Sequence, residues 1–244
     1  MNFSIAIMTF NKRFDTCFKP LIEKIRSLNK DIPIIVGVNG NYKESFDEQY
    51  RIDMLQLLSR YTNTYPIFFP EMRGWAKICN SMFIHSVHDH ILYFSDDVVI
   101  QNDNILEMVD MYINAFGNTC TINHLFSHFI CNRREVDRYG WFDERLLGFG
   151  EEDGDMIYRF LEDGKSIKNI NISGLYNLNV DSSSSYERGV AKYSKFNREW
   201  IFTNKYIPDP NGITGTFDRP HKRICDNISL YPCETFYWEN KNKL

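Results

Sequence analysis

Ile91-Leu-Tyr-Phe-Ser-Asp-Asp-Val98 decides how this chain is read. Its first four residues form a short apolar run that suits a buried β-strand, and two adjacent acids follow almost at once. Unpaired charge is expensive to bury, so Asp96 and Asp97 are poor core material. In an open α/β sheet the ligand crevice lies beyond the carboxyl ends of the strands. Two carboxylates there suit a hard divalent cation, which takes oxygen ligands. Capping of the next helix is the plain alternative for either acid.

The same alternation fills the first half of the chain. Residues 3–9, 33–38 and 65–69 are apolar β-runs, and the second ends in the turn Asn39-Gly40-Asn41. Between them lie segments with helical spacing: Leu21, Ile22, Ile25 and Leu28 after Pro20, then Met54 to Leu58. Residues 74–87, with Ile78, Met82 and Ile84 apolar, and residues 103–116 are helical as well. Apolar strands separated by helices predict an α/β fold with a mostly parallel central sheet flanked by helices. The second half is less regular. Strands are expected at 125–131 and 167–172, and helices at 152–161 and at 196–206 around Trp200. The serine run 182–185 predicts a mobile loop. From Pro208 onward, Pro and Gly punctuate a tail expected to wrap the core.

Composition narrows the function classes. The 244 residues carry 43% hydrophobic and 15% aromatic side chains, enough for a sizeable core and against a disordered chain. A net charge of −4 argues against a protein that grips nucleic acid through its backbone. No run approaches the ~20 apolar residues of a membrane span. Lys12 and Arg13 follow the first apolar run, the reverse of a signal-peptide layout. The expected location is therefore cytoplasmic, with peripheral contact at the inner membrane surface only through an acceptor. The six cysteines include no Cys-x-x-Cys pair, which fits a reducing compartment. Cys225 and Cys233 are the one pair for which a bridge can be argued.

Two further stretches carry chemistry. Gly148-Phe-Gly-Glu-Glu-Asp-Gly-Asp155 places two glycines before four acids in five positions. Acids at a helix start are favoured by its dipole, but four exceed that need, and one can serve as a general base. Arg159, one turn past Asp155, reads equally as an i,i+4 partner or a ligand. Arg73-Gly-Trp-Ala-Lys-Ile-Cys-Asn80 offers a glycine and two cations at a helix start, a plain helix opening or an approach for phosphate.

In this order the stretches resemble glycosyltransferases of the GT-A fold, especially the large family 2. Ser4-Ile-Ala-Ile-Met-Thr-Phe-Asn11 looks like that family's opening strand and turn. The stretch 73–80 resembles its segment before the metal motif, and 91–98 its Asp-x-Asp motif with Ser95 in the first position. Arg134-Glu-Val-Asp-Arg-Tyr-Gly-Trp-Phe-Asp-Glu144 is similar to the acceptor-side strand and turn. Residues 148–159 look like the Glu-Asp motif of inverting enzymes, and 197–206 like the closing helix.

The resemblance implies an inverting, metal-dependent enzyme that moves a hexose-type sugar from a nucleotide diphosphate donor, expected to be a UDP-sugar. The acceptor would be a hydroxyl of a glycan or glycolipid, and the cofactor Mn²⁺ or Mg²⁺. Donor contacts fall to Thr9, Asn11, Asn39, Arg73, Lys77, Asn80, Ser95 and Asp96. Asp97 would hold the metal. Asp153 would be the base and Glu152 a second catalytic acid on the acceptor side, with Trp141 and Phe149 as stacking rings. The chain departs from the family at three places. Ser95 replaces the first acid, Asn39 stands where many relatives have Asp, and Tyr176-Asn-Leu-Asn-Val-Asp181 lacks the histidine that often completes the metal site. His221 is the one downstream histidine left for that role. The expected layout is a glycosyltransferase domain over 1–207, nucleotide-sugar half 1–100 and acceptor half 101–207, with a tail over 208–244 packed on it. A non-catalytic glycan- or nucleotide-binding module and a metal-dependent nucleotidyltransferase are the alternatives.

Overall fold

Alternation of largely apolar strands with one-sided helices dictates what forms. In the computed structural model, which describes residues 1–40, 46–178 and 185–226, β1 (Phe3–Phe10) is buried along its whole length. Such a strand needs cover on both faces. It leads into α1 (Lys19–Leu28), which turns Leu21, Ile22 and Ile25 inward, and then β2 (Ile34–Asn39). Asp47 caps α2 (Glu48–Leu58) by accepting from the amides of Gln49 and Tyr50. There follow β3 (Thr64–Phe68), α3 (Trp75–Ile84), β4 (His90–Ser95), β5 (Val98–Ile100) and α4 (Ile105–Ala115). The second half supplies β6 (Cys120–Ile122), β7 (Leu125–Asn132), α5 (Arg133–Tyr139), α6 (Glu152–Glu162), β8 (Lys168–Ile170) and β9 (Leu175–Asn177). The described chain closes with α7 (Ser185–Trp200), a wide helical turn over Ile201–Lys205, β10 (Tyr206–Ile213) and β11 (His221–Arg223).

The chain divides into two compact units. The first comprises Met1–Met72, Ser81–Glu135 and Lys168–Val180. It contains a seven-stranded sheet in the order β3-β2-β1-β4-β7-β6-β8. The pairs β1–β2, β1–β4, β2–β3 and β6–β8 are parallel, and β7 runs antiparallel to both its neighbours. The expected α/β architecture with a mostly parallel sheet is thus borne out. Strand order reverses between β1 and β4, the kind of place where such sheets bind ligands. Ile5, Ile7, Ile22, Ile34, Val36, Met54, Leu92, Phe94 and Val109 are among the fully buried members of its core. Each such side chain contributes ~1.5–3 kcal/mol of transfer free energy. At the amino-terminal end of the sheet, buried Arg26 donates to the carbonyls of Lys30, Ile32, Thr62 and Asn63, at 3.1, 2.8, 2.9 and 3.2 Å. It also reaches Thr64 Oγ1 at 2.6 Å.

The second unit comprises Arg73–Asn80, Val136–Ile167 and Asp181–Leu244. Its apolar cluster joins Leu146, Tyr158, Ile201, Tyr206 and Phe217. One expectation is corrected. Residues 134–144 do not begin with a strand: Arg133–Tyr139 is helical. Asn132 caps it through Arg134 N–H at 3.0 Å, and Gly140, at φ 93°, ends it. Beyond Pro208 the chain forms an antiparallel hairpin, β10 with β11, in which Tyr206 faces Arg223. A Cβ on Gly212 would lie 2.3 Å from the carbonyl oxygen of His221, so only glycine lets these strands close. Residues 182–184 of the serine run, Cys233 and the end of the tail lie outside the described residues. Cys17 and Cys120 are buried free thiols, Cys79 and Cys131 are buried, and Cys225 is a half-buried free thiol. Among the described residues no helix is long and apolar enough to cross a membrane.

Candidate active site

In the first unit, strand register gathers the expected donor residues. Met8 lies beside Ser95, and Phe10 beside Asn39, so Thr9 and Asn11 run past the ends of β2 and β4. Thr9, Asn39 and Asp96 are buried there, whereas Asn11, Ser95 and Asp97 are half-buried. Three side-chain atoms at this edge lack a hydrogen-bond partner: Thr9 Oγ1, Asn11 Oδ1 and Asp96 Oδ2. Buried polar groups are normally satisfied, so such a cluster is a place prepared for something else.

Charge at this edge is held in tension. Arg13, in the turn after β1, donates to Asp96 Oδ1 at 3.1 Å and stands 3.4 Å from Asp97 Oδ2. Burial pushes the Asp96 carboxyl up to about 7, Arg13 pulls it down, and Asp97 adds to the rise. Asp97 is fixed from β9: its Oδ1 accepts from Asn177 Nδ2 at 2.9 Å. Asn177 Oδ1 in turn accepts from Ser127 Oγ at 2.8 Å, and Leu178 N–H donates to the Asp97 carbonyl at 2.7 Å. Neighbouring His128 is fully buried, and burial lowers its pKa to about 4. Among the described residues no three His, Cys, Asp or Glu side chains gather into a metal-holding group. Two acids with a buried free oxygen at Asp96 Oδ2 nevertheless match the all-oxygen preference of a hard cation.

In the second unit the acids sit on a strained turn. Gly148, Gly150 and Glu151 have φ of 57°, 118° and 75°, the left-handed region that favours glycine. A Cβ on Gly148 would lie 2.2 Å from the ring of Tyr193. The fully buried Asn197 staples the turn, donating to the carbonyls of Leu147 and Gly150 at 2.8 Å each and accepting from Leu147 N–H at 2.8 Å. α6 then starts at Glu152. Asp153 is exposed and accepts from Gly154 N–H at 2.8 Å. Glu152 is buried, its Oε2 accepting from Gly150 N–H at 2.6 Å while Oε1 has no partner. Burial pushes its pKa up to about 8, and the charges of Asp153 and Glu151 add to the rise. The turn therefore presents one exposed acid beside one that holds its proton at neutral pH.

Asp155 has a structural task. It is fully buried, and its Oδ1 lies 2.7 Å from both Lys205 Nζ and the Tyr206 hydroxyl. Arg159 meets its Oδ2 at 3.1 Å, so despite burial its pKa is held at about 2. Lys205 also reaches Asp143 at 2.7 Å, and Arg145 pairs with the same carboxylate at 2.6 Å. Arg159 is thus the i,i+4 partner of Asp155.

Several expected ligand residues prove to be scaffold. The Asn80 amide is buried and donates to Phe142 O and Glu144 Oε1 at 2.8 and 2.9 Å, while its Oδ1 accepts from Phe142 N–H at 3.2 Å. That corrects its assignment as a donor contact. Trp141 is buried with its indole N–H on Asp137 at 2.9 Å, which leaves no face for a sugar. His221 is buried, packs against Phe202 and Phe217 and bonds through Nδ1 to Arg219 O. Lys77 pairs with Glu144 at 3.3 Å. Arg73 and Phe149 are half-buried. Close packing explains Gly74, where a Cβ would lie 2.9 Å from Leu146 O. Sequence reasoning missed Arg13, Asn177 and Lys205. The signal for Arg13 was the strand order, which sets the residues after β1 beside those after β4.

No protein-family model and no curated protein matches the sequence. Solved structures do match. S. aureus TarS aligns with a TM-score of 0.58 at 13% identity, over 83% of this chain and 40% of that one. TarS 1–349 in complex with UDP gives 0.57 at 14% identity, over 83% and 73%. Glucosyl-3-phosphoglycerate synthase from Mycobacterium tuberculosis, in complex with Mn²⁺, UDP and phosphoglyceric acid, gives 0.57 at 12% identity, over 94% and 88%. The chain spans 40% of the length of the TarS chain first named. At these identities the likeness is one of fold, and the fold is GT-A, as the motifs led one to expect.

Proposed function

We propose that this protein is a glycosyltransferase that moves a sugar from a nucleoside diphosphate donor to a hydroxyl of a glycan or glycolipid, with inversion at the anomeric carbon. The observation that carries the reading is the set of orphaned polar atoms at the strand-order reversal, Thr9 Oγ1, Asn11 Oδ1 and Asp96 Oδ2. Ribose and sugar hydroxyls would satisfy all three. The UDP and UDP-GlcNAc of the TarS complexes, and the UDP-glucose and Mn²⁺ of the synthase, support a uridine diphosphate donor and a divalent cation. Asp97 would hold the cation, with Asp96 Oδ2 turned to it or to the donor, and the cation would neutralise charge on the departing diphosphate. Arg13 would keep the two acids together while the donor is away. The buried free thiols suit a reducing, cytoplasmic setting.

On the acceptor side, Asp153 takes the proton of the attacking hydroxyl as the new bond forms. Glu152, protonated at neutral pH, donates through its free oxygen to an acceptor hydroxyl and orients it. The test is Asp153→Asn, with transfer rate and donor dissociation constant measured on one preparation. Loss of the base lowers transfer by ~10²- to 10⁴-fold and leaves donor affinity intact. Near-normal transfer would remove Asp153 from this role. Release of nucleoside diphosphate, and not of pyrophosphate, separates the reading from nucleotidyl transfer, and the absence of turnover would favour a binding module.

A further inference from the structure

A fourth buried atom without a hydrogen-bond partner accompanies the three at the strand ends, the Tyr50 hydroxyl. Tyr50, in the first turn of α2, is 5% exposed and its hydroxyl has no hydrogen-bond partner. Its ring packs edge-on against Phe14, with centroids 5.5 Å apart, and tilted against Phe46 at 6.1 Å. The neighbour of the phenol at the end of β1 is Thr9. There the Thr9 hydroxyl stands close enough to offset part of the burial that raises the phenol's pKa, and the same hydroxyl lowers that of Asp96. Tyr50, Thr9 and Asp96 therefore form a row in which each neighbour is within reach and none is bonded with ordinary geometry.

Packing alone does not explain a tyrosine here. Phenylalanine would fill the same space and avoid a desolvated hydroxyl. Proteins keep such defects where function needs the group. The row also has a fixed polarity. A phenol donates, a threonine hydroxyl both accepts and donates, and a carboxylate only accepts. One rotation of the Thr9 hydroxyl lets Tyr50 donate to Thr9 and Thr9 donate to Asp96 Oδ2.

We propose that Tyr50 is a positioning residue of the donor site, whose hydroxyl, acting through Thr9, sets the orientation of the Asp96 carboxylate that meets the donor. This rests on the donor-site reading above. The experiment titrates UDP with Mn²⁺ into the full chain by calorimetry and follows thermal unfolding of the same proteins. Tyr50→Phe is expected to melt at the same temperature or higher, yet bind UDP about tenfold more weakly, the scale of one hydrogen bond. Its donor KM should rise with kcat unchanged. Thr9→Val should weaken binding by a similar factor, and the double variant should be no weaker than the worse single, because both break one row. Unaltered UDP affinity in Tyr50→Phe, additive losses in the double variant, or a fall in melting temperature that accounts for the weaker binding would each overturn the assignment. A wild-type chain that binds no UDP would overturn the donor-site reading itself, an outcome distinct from normal wild-type binding with an indifferent Tyr50→Phe.

Discussion

Replacing Glu152 with Gln tests the acid turn through its effect on stability. The carboxyl is buried beside Glu151 and Asp153, and its pKa is pushed up to about 8 against 4.5 in the unfolded chain. Arg198 lies 3.8 Å from Glu151. The folded state therefore holds a proton that the unfolded state releases. Stability from this group is fully present below pH 4.5 and is lost as pH rises to about 8, where both states are ionised. Each pH unit in that window is worth about 1.4 kcal/mol. Between pH 5 and pH 7 the wild type should thus lose about 3 kcal/mol that a side chain without a proton equilibrium does not lose. Gln keeps the bond to Gly150 N–H through its carbonyl oxygen and has no charge to desolvate. Urea unfolding of both proteins at pH 5, 6, 7 and 8 reads the difference. The advantage of Glu152→Gln should grow steadily over the first two units. Asp96, whose pKa rises to about 7, slopes the same way but is common to both proteins and cancels. Parallel stability curves would show that Glu152 is solvated or paired in solution and would refute the account of the turn.

Other substitutions probe the remaining clusters. Lys205→Met leaves Asp143 and Asp155 buried without their shared cation, and should lower unfolding free energy by about 3–5 kcal/mol in urea titrations. Asn80→Leu strips both peptide groups of Phe142 of their partner, with an expected loss of about 1–3 kcal/mol. UDP affinity of that variant, by calorimetry, should stay at the wild-type value, in keeping with a scaffold role. Asp97→Ala should abolish Mn²⁺-dependent UDP binding, and an unchanged calorimetric isotherm would contradict its assignment.

The strands β1, β2 and β4 were plain in the sequence because a strand buried on both faces reads as a nearly unbroken apolar run. The acids after β4 stood out for the same reason, as charge where only apolar residues belong. Local patterns failed where distant pairing decides. Tyr206-Ile-Pro-Asp-Pro-Asn-Gly-Ile213 reads as loop, yet it pairs with β11 because Pro208 and Pro210 need give no ladder bond on an edge and Gly212 admits close approach. Arg133–Tyr139 buries only Val136, too little periodicity to announce a helix. Asn80 and His221 have the chemistry of ligands, and only the packed structure reveals that backbone and aromatic neighbours already hold them. Arg13, Asn177 and Tyr50 gain meaning from elements far away in the chain, which no window of sequence contains.

Arg26 has a consequence for how motion is shared along the first unit. Its single guanidinium closes both connections that lead into β2 and β3. The amides that follow are locked with it: Ile5 N–H donates to Pro33 O at 2.8 Å and Ile34 N–H to Asn63 O at 2.9 Å. Opening either connection alone would leave a buried cation with half its acceptors, so the two must open together. In hydrogen exchange these amides should behave as one cooperative block, released only by unfolding of the whole sheet edge. Loop length is equally constrained there. An inserted residue would pull a carbonyl off the guanidinium, so variation in this scaffold is driven to the opposite, carboxyl-terminal rim, where a change in a loop alters what is bound without loosening what holds the strands.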